Sequence, residues 1–287
     1  MLLTERLYKL IDIQGLDDTL MQEPRYGIEL EYENVPLRGM AERPNFRHWR
    51  LNGDGSLRNY GIELTSVPLS EVQLLPALDE VAPFIEQSRA IATERCGLHV
   101  HINVQPYTFG QVWSFITLYA LMEPSIYESY AQGRKHSIFS VPLMYNTLQV
   151  SRLAEDCKQA REENRRSLHM HCLRTPKYSA LNTGMCMENF GTLEMRQPYC
   201  TTDLSAAYGW ILFCTRLRDM GMSYNDPLSV IALFETIGLN QLQQELFGTT
   251  ITVEEKDQDF AEDAAYAIAS RPETKWQDIS WTMEGGV

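Results

Sequence analysis

Four short stretches of the chain alternate strictly between apolar and polar side chains, the period of an extended strand with one buried face. In Tyr26-Gly27-Ile28-Glu29-Leu30-Glu31-Tyr32-Glu33, one face carries Ile28, Leu30 and Tyr32 and the other Glu29, Glu31 and Glu33. Gly61–Pro68 sets Glu63 opposite Ile62 and Leu64. Gly97–Val104 sets His99, His101 and Asn103 against Leu98, Val100, Ile102 and Val104. Gly191–Pro198 sets Thr192, Glu194 and Arg196 against Leu193 and Met195. A shorter run, Lys177–Asn182, predicts a fifth strand.

Helical spacing fills much of the remainder. Residues 1–16 read as a short amphipathic helix, and Ser70 caps a helix reaching about Ala90. Thr108 opens a helix that is apolar nearly all round and therefore deeply buried, with Pro124 expected to kink it or end its first half. Residues 151–167 predict a charged helix with Arg152, Lys158, Arg161, Arg165 and Arg166. An apolar helix covers 202–220, starting near Thr202 or Asp203, and Asp226–Phe247 continues helical with a break near Gly238. Residues 34–60 read as a loop-rich insert around the turn signal NGDGS, and 131–150 as irregular. The expected division is a helical lead-in over 1–25, one domain over 26–250 and an acidic tail over 251–287, partly helical or loosely attached.

The 287 residues suffice for one large domain or two modest ones, and 44% hydrophobic with 22% charged residues is the balance of a folded globular chain. No apolar run approaches the ~20 residues of a membrane helix. Charges inside the first apolar stretch argue against a signal peptide. The formal charge is −13, but Ile251 to the end holds nine acids and three bases, so the bulk is only mildly acidic. That balance excludes a broad nucleic-acid surface. The six cysteines contain no C-x-x-C pair, which argues against a zinc ribbon or thioredoxin motif and fits reduced, buried thiols in a cytoplasm.

The polar faces carry the chemistry. A sheet face open to water draws on lysine, threonine, serine and glutamine. Here the sets are Glu/Glu/Glu, Glu/Thr, His/His/Asn and Thr/Glu/Arg, and lysine is absent from all four. Carboxylates gathered on one face need cations, or their pKa values rise until some are neutral. Hard oxygen ligands with an imidazole suit Mg²⁺ or Mn²⁺, whereas zinc sites favour more histidine. A second His-x-His, His169 and His171 followed by Cys172, has no further ligand cluster at the spacing of a structural zinc site.

In order, G-x-E-x-E, D-G-S followed by G-x-E-x-T-S, G-x-H-x-H-x-N and T-x-E-x-R resemble the carboxylate–amine ligases of the glutamine synthetase fold, and among them the amidoligase family. Glutamine synthetase and glutamate–cysteine ligase are relatives in that superfamily. The resemblance runs from Tyr26 to Pro198. It implies an α+β fold in which a curved antiparallel sheet forms a funnel, with helices on its outer face. It implies an ATP-dependent enzyme of the cytoplasm with two or three Mg²⁺ ions, Mn²⁺ being an alternative. The implied reaction passes through an acyl phosphate to an amide or isopeptide bond. The substrates would be a small carboxylic acid, such as an amino acid, and an amine that is free or part of a peptide, nucleobase derivative or protein. Carried over by motif, Glu29, Glu31, Glu63, His99 and Glu194 are metal ligands. His101 lies toward the ATP phosphates, and Arg196 binds the substrate carboxylate or transferring phosphoryl group. Asp54 binds metal or the incoming amine, and Asn103 and Asn182 orient substrate.

Further positive charge for ATP could come from Arg134, Lys135, Arg165, Arg166, Arg174 or Lys177, with Lys177 ranked first because it precedes a strand entering the funnel. Glu33, at a strand end, reads as a solvated charge. The short lead-in leaves no room for the small N-terminal domain with which glutamine synthetases build ring active sites, so such a ring is not expected. Two other readings stay open: a non-catalytic ligand-binding or structural protein that keeps the fold, and a metallohydrolase.

Overall fold

A computed structural model describes residues 24–37, 44–146, 148–151, 153–154, 178–184 and 191–269. The expected opening helix, most of the charged 151–167 segment, the second His-x-His, Arg165, Arg166, Arg174 and Lys177 lie outside those residues. The described residues form six strands: β1 (Tyr26–Tyr32), β2 (Trp49–Gly53), β3 (Ile62–Ser66), β4 (Leu98–Asn103), β5 (Leu181–Asn182) and β6 (Thr192–Met195). They form one sheet in the order β2-β3-β1-β4-β6-β5, and every neighbouring pair is antiparallel. The helices are α1 (Glu71–Ser88), α2 (Phe109–Tyr130), α3 (Leu204–Met222), α4 (Pro227–Phe247) and α5 (Glu255–Ala269). The architecture is α+β.

The apolar members of the alternating strands go where the pattern sends them. Ile28, Leu30, Leu64, Val100, Ile102, Leu193 and Met195 are fully buried in one core with Val112, Ile116, Ala207 and Ile211 of the helices. Helix starts follow their capping chemistry. Thr108 Oγ1 accepts from the Gln111 N–H at 3.2 Å while Gln111 Oε1 accepts from the Thr108 N–H at 2.9 Å, a reciprocal capping box. Asp203 and Asp226 cap α3 and α4 in the same spirit. Gly238 (φ 76°) breaks the helical path inside α4.

Two features differ from the sequence pattern, and the acidic remainder is partly helical as expected. The insert over 34–60 contains β2, an edge strand paired with β3, so NGDGS (52–56) ends β2 and opens the loop of a β2–β3 hairpin. Only Trp49 of β2 is buried, which leaves too little alternation to read. Pro124 neither ends nor interrupts α2, which runs through Tyr130. The proline removes one backbone donor, but α2 is buried on nearly all sides, and tertiary packing holds it helical. Within the acidic remainder, α5 packs on α2: Trp113 Nε1 donates to the Ile268 carbonyl at 3.3 Å, and Lys135 Nζ pairs with Asp257 Oδ2 at 2.6 Å. Among the described residues no helix is long and apolar enough to cross a membrane.

Candidate functional site

Strand register assembles the polar face. β1 is flanked by β3 and β4, so its glutamates have neighbours on both sides. Glu31 sits opposite Glu63, and Glu29 opposite both Thr65 and His99. One strand further, His101 faces Glu194, and Glu194 faces Asn182 of β5. Four segments distant in sequence thus deliver carboxylates and imidazoles to one surface. That surface is not a solvated sheet face: His99 is 1% exposed and Glu194 3%.

Glu29 is the hub. Its Oε2 lies 3.0 Å from His99 Nδ1 and its Oε1 3.1 Å from His101 Nε2. His99 Nδ1 is also 3.4 Å from Glu194 Oε1. The remaining His101 nitrogen, Nδ1, lies 3.1 Å from Thr192 Oγ1, which fixes the ring. Glu194 is bound by Asn182 Nδ2 at 2.9 Å through one oxygen and by Arg196 Nη1 through the other. Glu31 Oε2 accepts from the Gly97 N–H at 2.6 Å. Glu63 Oε2 accepts from Thr65 Oγ1 at 3.1 Å, and Asp54 Oδ1 from the Ser56 N–H at 2.7 Å.

Electrostatics divide the face into two halves. Burial alone would raise the pKa of Glu29, but His101 and then His99 outweigh it and hold the carboxyl well below its ordinary value. Glu194 behaves likewise: burial opposes ionisation, and His101, His99 and Arg196 together prevail. Glu63 has no such partner. Burial pushes it up to about 7, with the charges of Glu29 and Glu31 adding to the effect.

Two ligand sets follow. Glu29, His101 and Glu194 offer donor atoms that all lie within 4.8 Å of one another, and so do Glu31, Asp54 and Glu63. Carboxylate oxygens with an imidazole form a donor set for a hard divalent ion. The raised pKa of Glu63 marks a site short of positive charge, and a cation would relieve it. The residues therefore fit one metal ion in each set. His99 adjoins the first set through Glu29 and Glu194, and its Nε2 is buried without a partner among the described residues.

The face brings together the residues singled out by motif. Asn103 lies two residues beyond His101, at the end of β4, where its Oδ1 accepts from the Gln105 N–H at 3.1 Å; Lys177 lies outside the described residues. Asn182 meets Glu194 directly. Of the other cations, Lys135 pairs with Asp257, Glu254 and Glu128. Arg134 is buried. Glu33 is not a solvated charge: it is 4% exposed, and its Oε1 accepts from the Arg58 N–H at 2.7 Å, fixing the β2–β3 hairpin loop.

Sequence reasoning missed Gly97. A Cβ there would meet His99 Nε2 at 2.1 Å, so the His99 ring lies over a position that only glycine leaves free. The signal was present, since Gly97 precedes His99 on the same strand face.

No curated protein matches the chain. A family model described as "Putative amidoligase enzyme" matches residues 40–218, well over half of the chain. That span holds Asp54, Glu63, His99, His101, Glu194 and Arg196, while Glu29 and Glu31 on β1 precede it. The chain belongs to the amidoligase family.

Proposed function

We propose that the protein is an ATP-dependent carboxylate–amine ligase, joining a small carboxylic acid to an amine through an acyl phosphate. The observation that carries this reading is the pair of carboxylate-rich ligand sets side by side on β1, next to a guanidinium, in a chain of the amidoligase family. In this reading the polar sheet face is the wall of a funnel of the glutamine synthetase kind, with nucleotide and substrates meeting at the two sets. Divalent ions held by Glu29–His101–Glu194 and Glu31–Asp54–Glu63 would supply the charge neutralisation that phosphoryl transfer requires.

The chain's own residues have distinct parts. His99, 3.0 Å from Glu29 and 3.4 Å from Glu194, would adjoin the ion of the first set, and His101 would help hold that ion and so the phosphates it neutralises. Arg196, tethered by Glu194, offers a planar fork to a carboxylate or phosphoryl oxyanion. Asn182 holds the second oxygen of Glu194 and so fixes the carboxylate's orientation. An attacking amine must lose a proton, and we assign its reception to a carboxylate of the second set, Asp54 first. The burial of His99, His101 and Glu194 would limit water at that end of the face and so protect a hydrolysable intermediate.

The test is release of ADP from Mg-ATP across a panel of amino acids and amines. Turnover that needs both an acid and an amine, and that is lost in Glu29→Gln and Glu31→Gln, supports the reading. A folded protein that neither binds nor turns over Mg-ATP with a broad panel refutes it.

A further inference from the structure

Arg134 follows α2 in a turn closed by its own N–H on the Ala131 carbonyl at 2.9 Å. Its side chain is 1% exposed, and among the described residues no carboxylate lies within 4.0 Å of it. A buried cation without a counter-charge is strongly unfavourable unless its surroundings compensate it. Its visible partners are modest. Nη1 donates to the Cys96 carbonyl at 3.3 Å and to the Pro198 carbonyl, the guanidinium lies 4.8 Å from the centroid of the Tyr199 ring, and Nε has no partner among the described residues.

The Cys96 carbonyl explains the placement. It belongs to the same peptide unit as the Gly97 N–H, and that N–H donates to Glu31 Oε2 at 2.6 Å. A cation, one peptide unit and a carboxylate are therefore joined in series, the same carbonyl also accepting from the Cys200 N–H at 2.9 Å. A donor on the carbonyl polarises the amide and strengthens the hydrogen bond its N–H gives. Burial lowers the pKa of the guanidinium, and the Glu31 charge acts in the opposite sense. The second carbonyl, Pro198, also accepts from the Leu98 N–H, so the same guanidinium bridges the ends of β4 and β6 beside Arg196.

We propose that Arg134 is a positioning residue for the metal-binding face, acting through the Cys96–Gly97 peptide to aim and hold the Glu31 carboxylate. It never meets a ligand itself. Lysine retains the charge, but its shorter, single ammonium does not reproduce the position of the one nitrogen, Nη1, that donates to both carbonyls. The inference rests on the proposed metal-binding reading for its affinity measurement and is independent of it for the amide measurement.

The experiment uses the full chain and Arg134→Gln and Arg134→Lys, each with and without Glu31→Gln. Mn²⁺ is titrated by electron paramagnetic resonance, and the Gly97 amide proton is followed by NMR without metal. Loss of an outer partner of a ligand weakens metal binding about 10–100-fold, and Arg134→Gln should fall in that range with Arg134→Lys between it and wild type. Neither should weaken binding further once Glu31 is Gln, and the Gly97 amide resonance should move upfield in both. Variants that melt cooperatively and bind Mn²⁺ as wild type does overturn the proposal. Equal weakening in the Glu31→Gln background also overturns it, because a merely structural role would act in both. If wild type binds no Mn²⁺, the metal reading fails by itself, and an unmoved Gly97 resonance then decides against Arg134. If Arg134→Gln does not fold, Arg134→Lys carries both measurements.

Discussion

Gly97→Ala puts the packing of the polar face to a direct test. The backbone at Gly97 is not among the positive-φ positions, so alanine meets no conformational barrier there. The obstacle is His99. The new methyl carbon would stand 2.1 Å from His99 Nε2, 2.9 Å from Cδ2 and 3.0 Å from Cε1, where ordinary contact begins at 3.4 Å. The ring must therefore retreat by 3.4 − 2.1 = 1.3 Å. It is buried and pinned, with Nδ1 3.0 Å from Glu29, so a shift of that size breaks the contact or forces a new rotamer. Overpacking costs about 1–3 kcal/mol and a lost hydrogen bond to a charged group about 1.5–3 kcal/mol. We expect a net loss of about 3 kcal/mol, which for a chain of this size lowers Tm by roughly 6–12 °C. A misplacement of about 1 Å costs on the order of 100-fold in turnover, so ligase activity should fall by that much or more. Gly209→Ala, inside α3 with nothing within 4 Å of the added carbon, is the control. It should stabilise by about 0.5–1 kcal/mol. A Gly97→Ala protein with wild-type Tm and Mn²⁺ affinity would refute the placement of His99 over Gly97.

Glu29→Gln or Glu31→Gln should abolish ATP-dependent turnover while circular dichroism stays native, whereas Glu33→Gln should leave Mn²⁺ affinity within about twofold and cost about 1–3 kcal/mol through the Arg58 amide; equal loss of metal affinity in all three would sink the distinction. Because Glu63 is raised to about 7, protons compete with metal at its carboxylate, so Mn²⁺ affinity should weaken as pH falls below 7 and level off above it; a flat profile in wild type, or an unchanged slope in Glu63→Gln, contradicts this. Glu123 is pushed up to about 7 by burial, although Tyr119 and the Leu143 and Met144 amides all donate to it. Its folded pKa exceeds the unfolded one, so the native state holds the extra proton, and stability declines as pH rises from about 4.5 to 7. Glu123→Gln should remove that part of the slope in urea midpoints measured against pH, and an identical slope in both proteins would be decisive against it.

The legible part of the molecule is what alternation encodes. Each half-buried strand announces its two faces, so β1, β3, β4 and β6, and with them Glu29, Glu31, Glu63, His99 and Glu194, can be read from the chain. Capping residues announce α2 and α3 for an equally local reason. What escaped depends on partners far away in sequence. β2 is a strand because β3 offers it a ladder, not because its own side chains alternate. Pro124 is tolerated because neighbours surround α2. Glu33 looked exposed because nothing local reveals the Arg58 amide that meets it. Arg134 looked like one basic residue among several, and only the fold brings it to the Cys96 carbonyl. The pairing of Glu29 with both His99 and His101 likewise follows from register, which no single stretch contains.

The central place of β1 also bears on how the sheet finds its alignment. A strand with period two has a single wrong phase: a slip of one residue exchanges its faces. For β1 that exchange would drive Glu29 and Glu31 into the apolar interior and turn Ile28 and Leu30 outward. With β3 on one edge and β4 on the other, the error would be met on both sides at once. The acidic side chains thus act as a proofreading device during folding, excluding the misaligned sheet before any ligand arrives. Substituting them by apolar residues would remove activity and also the penalty that keeps the strand in phase.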